Sequence, residues 1–187
     1  MRKIQLRALL AGLLAVSGLA CAEAPQPGPL VAVTTIDLPR YMGKWYEFAR
    51  FPNKFQAKCV DDVSAEYSQN PDGTVKVINR CLMDNGEYSE AVGKARQVGE
   101  PTSAKLQVSF APSLASFIPW VWGDYWIIDI DPEYNVVAVG EPTREYLWVL
   151  TRTNRMSTAE YMGLLSRLRD KGYDTAKLVF SGPPVRK

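Results

Sequence analysis

Between Trp45 and Arg152 the chain reads as eight short extended runs separated by turns, and this succession confines it to an all-β design. Residues 63–67 alternate apolar and polar side chains, Asn70-Pro71-Asp72-Gly73 is a tight-turn sequence, and residues 74–80 alternate again. Two such runs around such a turn form a hairpin. Asp84-Asn85-Gly86 marks the next reversal and is followed by a long run through Arg96. Residues 105–110, 124–130, 134–140 and 146–152, with the run that opens at Trp45, complete the set. Antiparallel strands in simple succession predict a closed up-and-down barrel, because closure removes the unpaired edges that an open sheet carries.

One helix is expected, over residues 157–171. Ser157 is placed to cap it, Glu160 stands at the capping-box position, and Gly172 stops it. Tyr161, Leu164, Leu165 and Leu168 recur at helical spacing, so one face packs on the outside of the barrel.

The first twenty residues stand apart from the fold. Arg2, Lys3 and Arg7 precede an uncharged apolar run over residues 8–19, and Gly18-Leu19-Ala20 supplies small residues near a cleavage point. This is the pattern of an export signal, too short to span a bilayer. Export removes the chain from a reducing compartment, so of the three cysteines Cys59 and Cys81 are expected to pair. Cys21 is left alone directly after the signal, where it resembles the lipidated cysteine of bacterial lipoproteins. The alternative is ordinary signal cleavage near Ala20 or Ala22, which yields a soluble periplasmic protein. Residues 21–36, with Pro25, Pro27 and Pro29, read as a tether, residues 37–180 as the domain, and residues 181–187 as a polar tail.

Composition narrows the function. The net charge of +2, with Lys and Arg scattered, leaves no footprint for nucleic acid. Histidine is absent, which removes the commonest general base and zinc ligand. The sequence shows no paired nucleophile and base, no metal-ligand cluster and no Gly-rich phosphate loop, so neither cofactor nor metal is expected.

Alternation also orients the strands. Val63, Ala65 and Tyr67 share one face, as do Val75, Val77 and Asn79, and Leu106, Val108 and Phe110. Opposite faces carry Lys76 and Arg80, so the first sets point inward. Small inward residues (Ala65, and on one parity Ala91, Gly93 and Ala95) favour a hollow interior, and an eight-stranded barrel is wide enough for one small ligand. Glu47, Tyr67, Asn79, Phe110, Tyr125 and Trp148 are the pocket candidates; for Glu47 the competing reading is a buried carboxylate satisfied by a neighbouring Tyr or Arg. Phe117-Ile118-Pro119-Trp120-Val121-Trp122 is an apolar run where a loop is expected. It reads equally as a lip against a membrane, a dimer contact, a lid or a buried loop.

Three blocks carry a family resemblance: Gly43-Lys44-Trp45-Tyr46-Glu47, Gly123-Asp124-Tyr125-Trp126, and Tyr146-Leu147-Trp148-Val149-Leu150-Thr151-Arg152-Thr153. In this order and spacing they resemble the lipocalins. With Pro39-Arg40-Tyr41-Met42 and Asn70-Pro71-Asp72-Gly73-Thr74-Val75 added, the chain is similar to bacterial outer-membrane lipoprotein lipocalins, and to plant temperature-induced lipocalins and apolipoprotein D. The resemblance implies an eight-stranded barrel with Gly43, Trp45 and Arg152 sealing its base, the guanidinium lying across the indole. It implies a non-enzymatic binder of fatty acids or lysophospholipids that stores or moves lipid for envelope maintenance under stress. It also implies an outer-membrane anchor on Cys21, sorted there because Ala22 is not Asp, and in some members a homodimer. The Cys59–Cys81 pair departs from many bacterial members. The rival functions are an enzyme on the same barrel using Glu47, Asp124 or Tyr125, and a structural envelope protein with a packed barrel.

Overall fold

In the computed structural model, residues 27–115 and 117–181 are described. The strands are β1 (Gly43–Arg50), β2 (Cys59–Gln69), β3 (Val75–Met83), β4 (Tyr88–Gln97), β5 (Lys105–Ser109), β6 (Gly123–Ile130), β7 (Val136–Gly140), β8 (Leu147–Thr151) and a short β9 (Val179–Phe180). Each strand from β2 to β7 pairs antiparallel with the next, β8 pairs with β1, and β1 pairs back onto β2 from Gly43↔Tyr67 to Tyr46↔Ser64. That last pairing closes an eight-stranded antiparallel barrel. β9 adds to the part of β1 that β2 leaves free, through Ala49↔Phe180 and Arg50↔Val179.

The hairpin at residues 70–74 forms with Gln69↔Val75 in register and Gly73 at φ +80°, a left-handed conformation that glycine tolerates. Two boundaries differ from the alternation. β2 begins four residues before Val63, because its first half is irregular: Asp62 has φ 46° and the register to β3 shifts twice before Ser64. A bulged half-strand carries no clean alternation to read. Tyr134 lies in a turn (φ 59°) rather than on β7, since the Asp131 carboxylate accepts from the backbone N–H groups of Asn135 and Val136 and holds that turn.

Strand direction puts two different ends on the barrel. The lead-in to β1, the β2–β3, β4–β5 and β6–β7 turns and the chain after β8 share one end. The β1–β2, β3–β4, β5–β6 and β7–β8 connections share the other, the mouth. Cys59 and Cys81 are bonded, with Cα atoms 5.6 Å apart, and join β2 to β3 near the mouth. A staple of this kind contributes about 2–4 kcal/mol.

Apolar side chains collect in two layers. One fills the lower barrel around Trp45, Ala65, Tyr67, Val77, Leu106, Ile127 and Val139. The other lies outside, where Phe48, Ile128, Ala138 and Val149 meet α2 (Thr158–Asp170) through Leu164 and Leu168. The capping box at Ser157 and Glu160 is formed in both directions.

The segment read as tether is in part packed. Leu30, Ala32 and Ile36 are buried, Val33 N–H donates to Ile127 O, and Ile36 N–H to Thr102 O. Apolar residues at 30, 32 and 36 outweigh the proline signal, so residues 27–36 run down the barrel side and across its closed end. α1 (Leu38–Tyr41) then enters β1, capped by Asp37. At the other terminus Ser181, read as the start of the tail, bonds Phe48 O and Glu47. The signal, Cys21 and residues 182–187 lie outside the described residues. Among those described, no helix is long and apolar enough to cross a membrane.

Candidate ligand-binding lumen

The base is sealed by one side chain. The Arg152 guanidinium sits 3.8 Å from the Trp45 ring centroid. Its Nη1 donates to Lys44 O (2.9 Å), its Nη2 to Arg40 O and Met42 O (2.8 Å each) and Tyr41 O (3.2 Å), and its Nε to Tyr134 O (3.3 Å). Trp45 Nε1 donates to Tyr41 O at 2.8 Å. Gly43, at φ +92°, lets the chain turn beside Arg152; a Cβ there would lie 3.4 Å from Nη1 on a strained backbone.

Above the indole stand three tyrosines. The Tyr125 hydroxyl bonds the hydroxyls of Tyr41 (2.6 Å) and Tyr67 (2.9 Å). Burial raises all three pKa values, Tyr67 to about 12 from the ordinary 10.0. The folded pKa lies above the unfolded one, so the stability tied to these protons is complete below pH 10 and lost as pH rises towards 12. In an alkaline titration followed by tyrosinate absorbance, these three are expected to stay protonated after the exposed tyrosines have ionised, and to titrate only as the barrel opens. Early ionisation of every tyrosine in folded protein would contradict the placement.

Around the tyrosines Leu38, Met42, Val75, Val77, Ala95, Leu106 and Val108 leave a residual space of about 10 Å³, roughly the size of one water. The lower lumen is therefore close-packed. The upper lumen is not. Pairing registers put Ala65, Asn79 and Ala91 on one inward row, Val77 and Gly93 on the next, and Ala95 opposite Val108. Asn79, Val108, Tyr125 and Trp148 keep part of their surface exposed, and Ala91 is exposed outright. Side chains that face into a barrel meet solvent only where it is open above them.

The upper wall carries a charge cluster. Glu47 is 3% exposed. Its Oε1 accepts from Arg50 Nη1 at 2.9 Å and from the Ser181 hydroxyl, and its Oε2 accepts from Gln56 Nε2. Gln56 Oε1 in turn accepts from Trp148 Nε1 at 2.9 Å. Trp148 stacks on Tyr146 (5.7 Å between centroids, 12° between planes), which leans on Phe55. Every Glu47 oxygen is engaged, which is the buried-carboxylate reading, with arginine as its partner.

The six pocket candidates thus separate. Tyr67 and Tyr125 meet on the floor, Glu47 and Trp148 meet on the upper wall, and Asn79 faces in from β3. Phe110 sits on the rim over Gly93, half in solvent; a Cβ on Gly93 would strike its ring. Tyr41, Arg50, Gln56 and Ser181 complete these groups and were not singled out. Tyr41 ends the one-turn helix α1, too short to show a period, Gln56 and Ser181 lie in connections without periodicity, and Arg50 stands beyond a bulge in β1 where parity fails.

At the mouth the loop between β5 and β6 is apolar and uncovered: Leu114 is 88%, Phe117 81% and Trp120 84% exposed. This excludes the buried-loop reading for Phe117 and Trp120. Trp122 is different, lying under the Arg96 guanidinium at 4.1 Å. A hollow of about 380 Å³ opens beside it, between Val92, Lys94, Phe110 and Pro112.

A family profile described as a lipocalin-like domain matches residues 36–183. The chain belongs to the lipocalins. This lipocalin is 43% identical over 149 residues to temperature-induced lipocalin-1 of Arabidopsis thaliana, covering 78% of each chain. It is 36% identical over 166 residues to the outer membrane lipoprotein Blc of Escherichia coli K12, covering 88% of this chain and 89% of that one. Among solved structures, insecticyanin from the tobacco hornworm Manduca sexta superposes with a TM-score of 0.64 at 14% identity, over 87% of this lipocalin and 88% of that chain. At that identity the likeness speaks for the barrel alone.

Proposed function

We propose that this lipocalin is a non-enzymatic carrier that holds one small apolar ligand, a fatty acid or lysophospholipid, in the upper lumen. The carrying observation is that inward-facing Ala91, Asn79 and Trp148 remain accessible above a sealed, close-packed floor. A chain enters tail-first, because the floor space is bounded by aliphatic and tyrosyl side chains while the charged cluster stands higher on the wall. Burying a methylene there contributes about 0.8 kcal/mol, so the open depth of the lumen sets affinity. The named relative that is an outer membrane lipoprotein supports an anchor on Cys21 and a place at the envelope, and lipid storage or transport under stress is the role proposed for the carrier there.

Trp148 reports on this site. Titration of the purified domain with a lysophospholipid is expected to change its fluorescence in a saturable way, and the change should vanish in Trp148→Phe. Native mass spectrometry of protein taken from its own envelope should show a bound acyl species. An unresponsive Trp148 at micromolar lipid, together with a ligand-free mass, would refute the carrier and leave a packed structural barrel. Conversion of a bound compound would point to the enzyme reading.

A further inference from the structure

We propose that the lumen selects an acyl chain carrying a hydroxyl near its tail end, with the hydroxyls around Tyr125 and the Asn79 amide as the groups that recognise that oxygen. This rests on the carrier reading above and narrows the class of its ligand. Two observations carry it, one at the floor and one a row higher.

The first is a count of protons. Three phenol hydroxyls meet at the floor, and two hydrogen bonds of ordinary length join them in an open chain from Tyr41 through Tyr125 to Tyr67. A phenol has one proton to donate. Two bonds use two protons, so one O–H in the chain is left without an acceptor among the described residues. Tyr41 and Tyr67 are buried, and all three tyrosines border the floor space of about 10 Å³. A space of that size takes one oxygen with its proton. Burial raises all three phenol pKa values, Tyr67 to about 12, so the spare O–H is a donor at any pH near neutral.

The second observation is Asn79. Tyr67 pairs with Val77, and the next inward position on β3 is Asn79, flanked in register by Ala65 and Ala91. Asn79 therefore stands about 7 Å along the strand above the tyrosine row. Its side-chain amide has two donors and an acceptor. That amide is half-buried and makes no hydrogen bond to a described residue. The alanines on either side leave it uncrowded.

An otherwise apolar bore thus holds two polar groups without partners. A hydrocarbon tail that fills this depth covers both with methylenes, and each then loses water without gaining a bond. A hydroxyl is donor and acceptor at once. At the chain end it accepts the spare phenol proton, and seated a little higher it bonds the Asn79 amide. A site built to bond an oxygen discriminates strongly against the analogue that lacks it. The Glu47 carboxylate does not compete for this hydroxyl, since both its oxygens are already engaged.

The test compares palmitate, ω-hydroxypalmitate and α-hydroxypalmitate, titrated into the purified protein and read by calorimetry and Trp148 fluorescence. In a bore that offered the tail only hydrocarbon, an ω-hydroxyl would leave water unpaired and weaken binding by about tenfold or more. Wild type is expected to bind ω-hydroxypalmitate at least as tightly as palmitate, and more tightly than α-hydroxypalmitate. In Tyr125→Phe the preference for ω-hydroxypalmitate over palmitate should fall roughly tenfold. Asn79→Leu should lower the same preference by about threefold or more. Each preference is a ratio within one variant, so a general loosening of the barrel cancels. If Tyr125→Phe does not fold, the Asn79→Leu ratio decides alone. Wild type that binds palmitate but rejects ω-hydroxypalmitate overturns the inference and leaves the carrier standing, and so does an unchanged preference in the folded variants. Failure of all three acids to bind saturably refutes the carrier, and this inference with it.

Discussion

Arg152→Ala is expected to destabilise the barrel by about 2–4 kcal/mol, lowering Tm by roughly 5–15 °C in thermal unfolding. The arginine does two things that no neighbour can replace. Its guanidinium lies 3.8 Å above an indole that is fully buried, and its nitrogens donate to five main-chain carbonyls from Arg40, Tyr41, Met42, Lys44 and Tyr134. Those carbonyls belong to α1, β1 and the β6–β7 turn, so one side chain ties three segments at the closed end. Alanine opens the floor over Trp45 and returns the carbonyls to water. Arg152→Lys should recover only part of the loss, since an ammonium keeps the charge but not the planar fork. Unchanged unfolding of the alanine variant would show that the indole is sealed by something else.

Glu47→Ala is expected to cost about 3 kcal/mol or more, because it leaves Arg50 beside a buried hole with its partner removed. The carboxylate is 3% exposed and accepts from Arg50, Gln56 and Ser181, which come from β1, the β1–β2 connection and the chain after β9. Its loss should therefore loosen the mouth as well as lower stability. The readout is a double-mutant cycle by denaturant unfolding. Glu47→Ala/Arg50→Ala is expected to be less destabilised than the sum of the single variants, since removing both charges removes the unpaired one. Strict additivity would mean that the pair contributes nothing as a pair. Ligand affinity measured through Trp148 should fall in the same variants, because Gln56 links Glu47 to the Trp148 indole.

Most of the barrel was legible because its strands obey a period of two. Residues 74–80 and 105–109 alternate in sequence, and the apolar positions Val75, Val77 and Leu106 are buried in the barrel as that parity predicts. The helix was equally readable, since Ser157, Glu160 and Gly172 act on backbone groups within a few residues of themselves. Legibility ended where order came from distant partners. The first half of β2 has a broken register, the packing of residues 30–36 depends on Ile127 and Thr102, and β9 exists only because β1 offers it an edge.

Local sequence was thus enough to determine an eight-stranded closed barrel, its capped helix and the parity of most inward side chains, because alternation, turn chemistry and capping are short-range. What the lumen contains was decided by tertiary structure. The joining of Tyr41, Tyr67 and Tyr125 at the floor, and of Ser181 and Trp148 with the Glu47–Arg50–Gln56 cluster on the wall, brings together residues far apart in the chain. Closing the barrel sets those distances, and no periodicity encodes them.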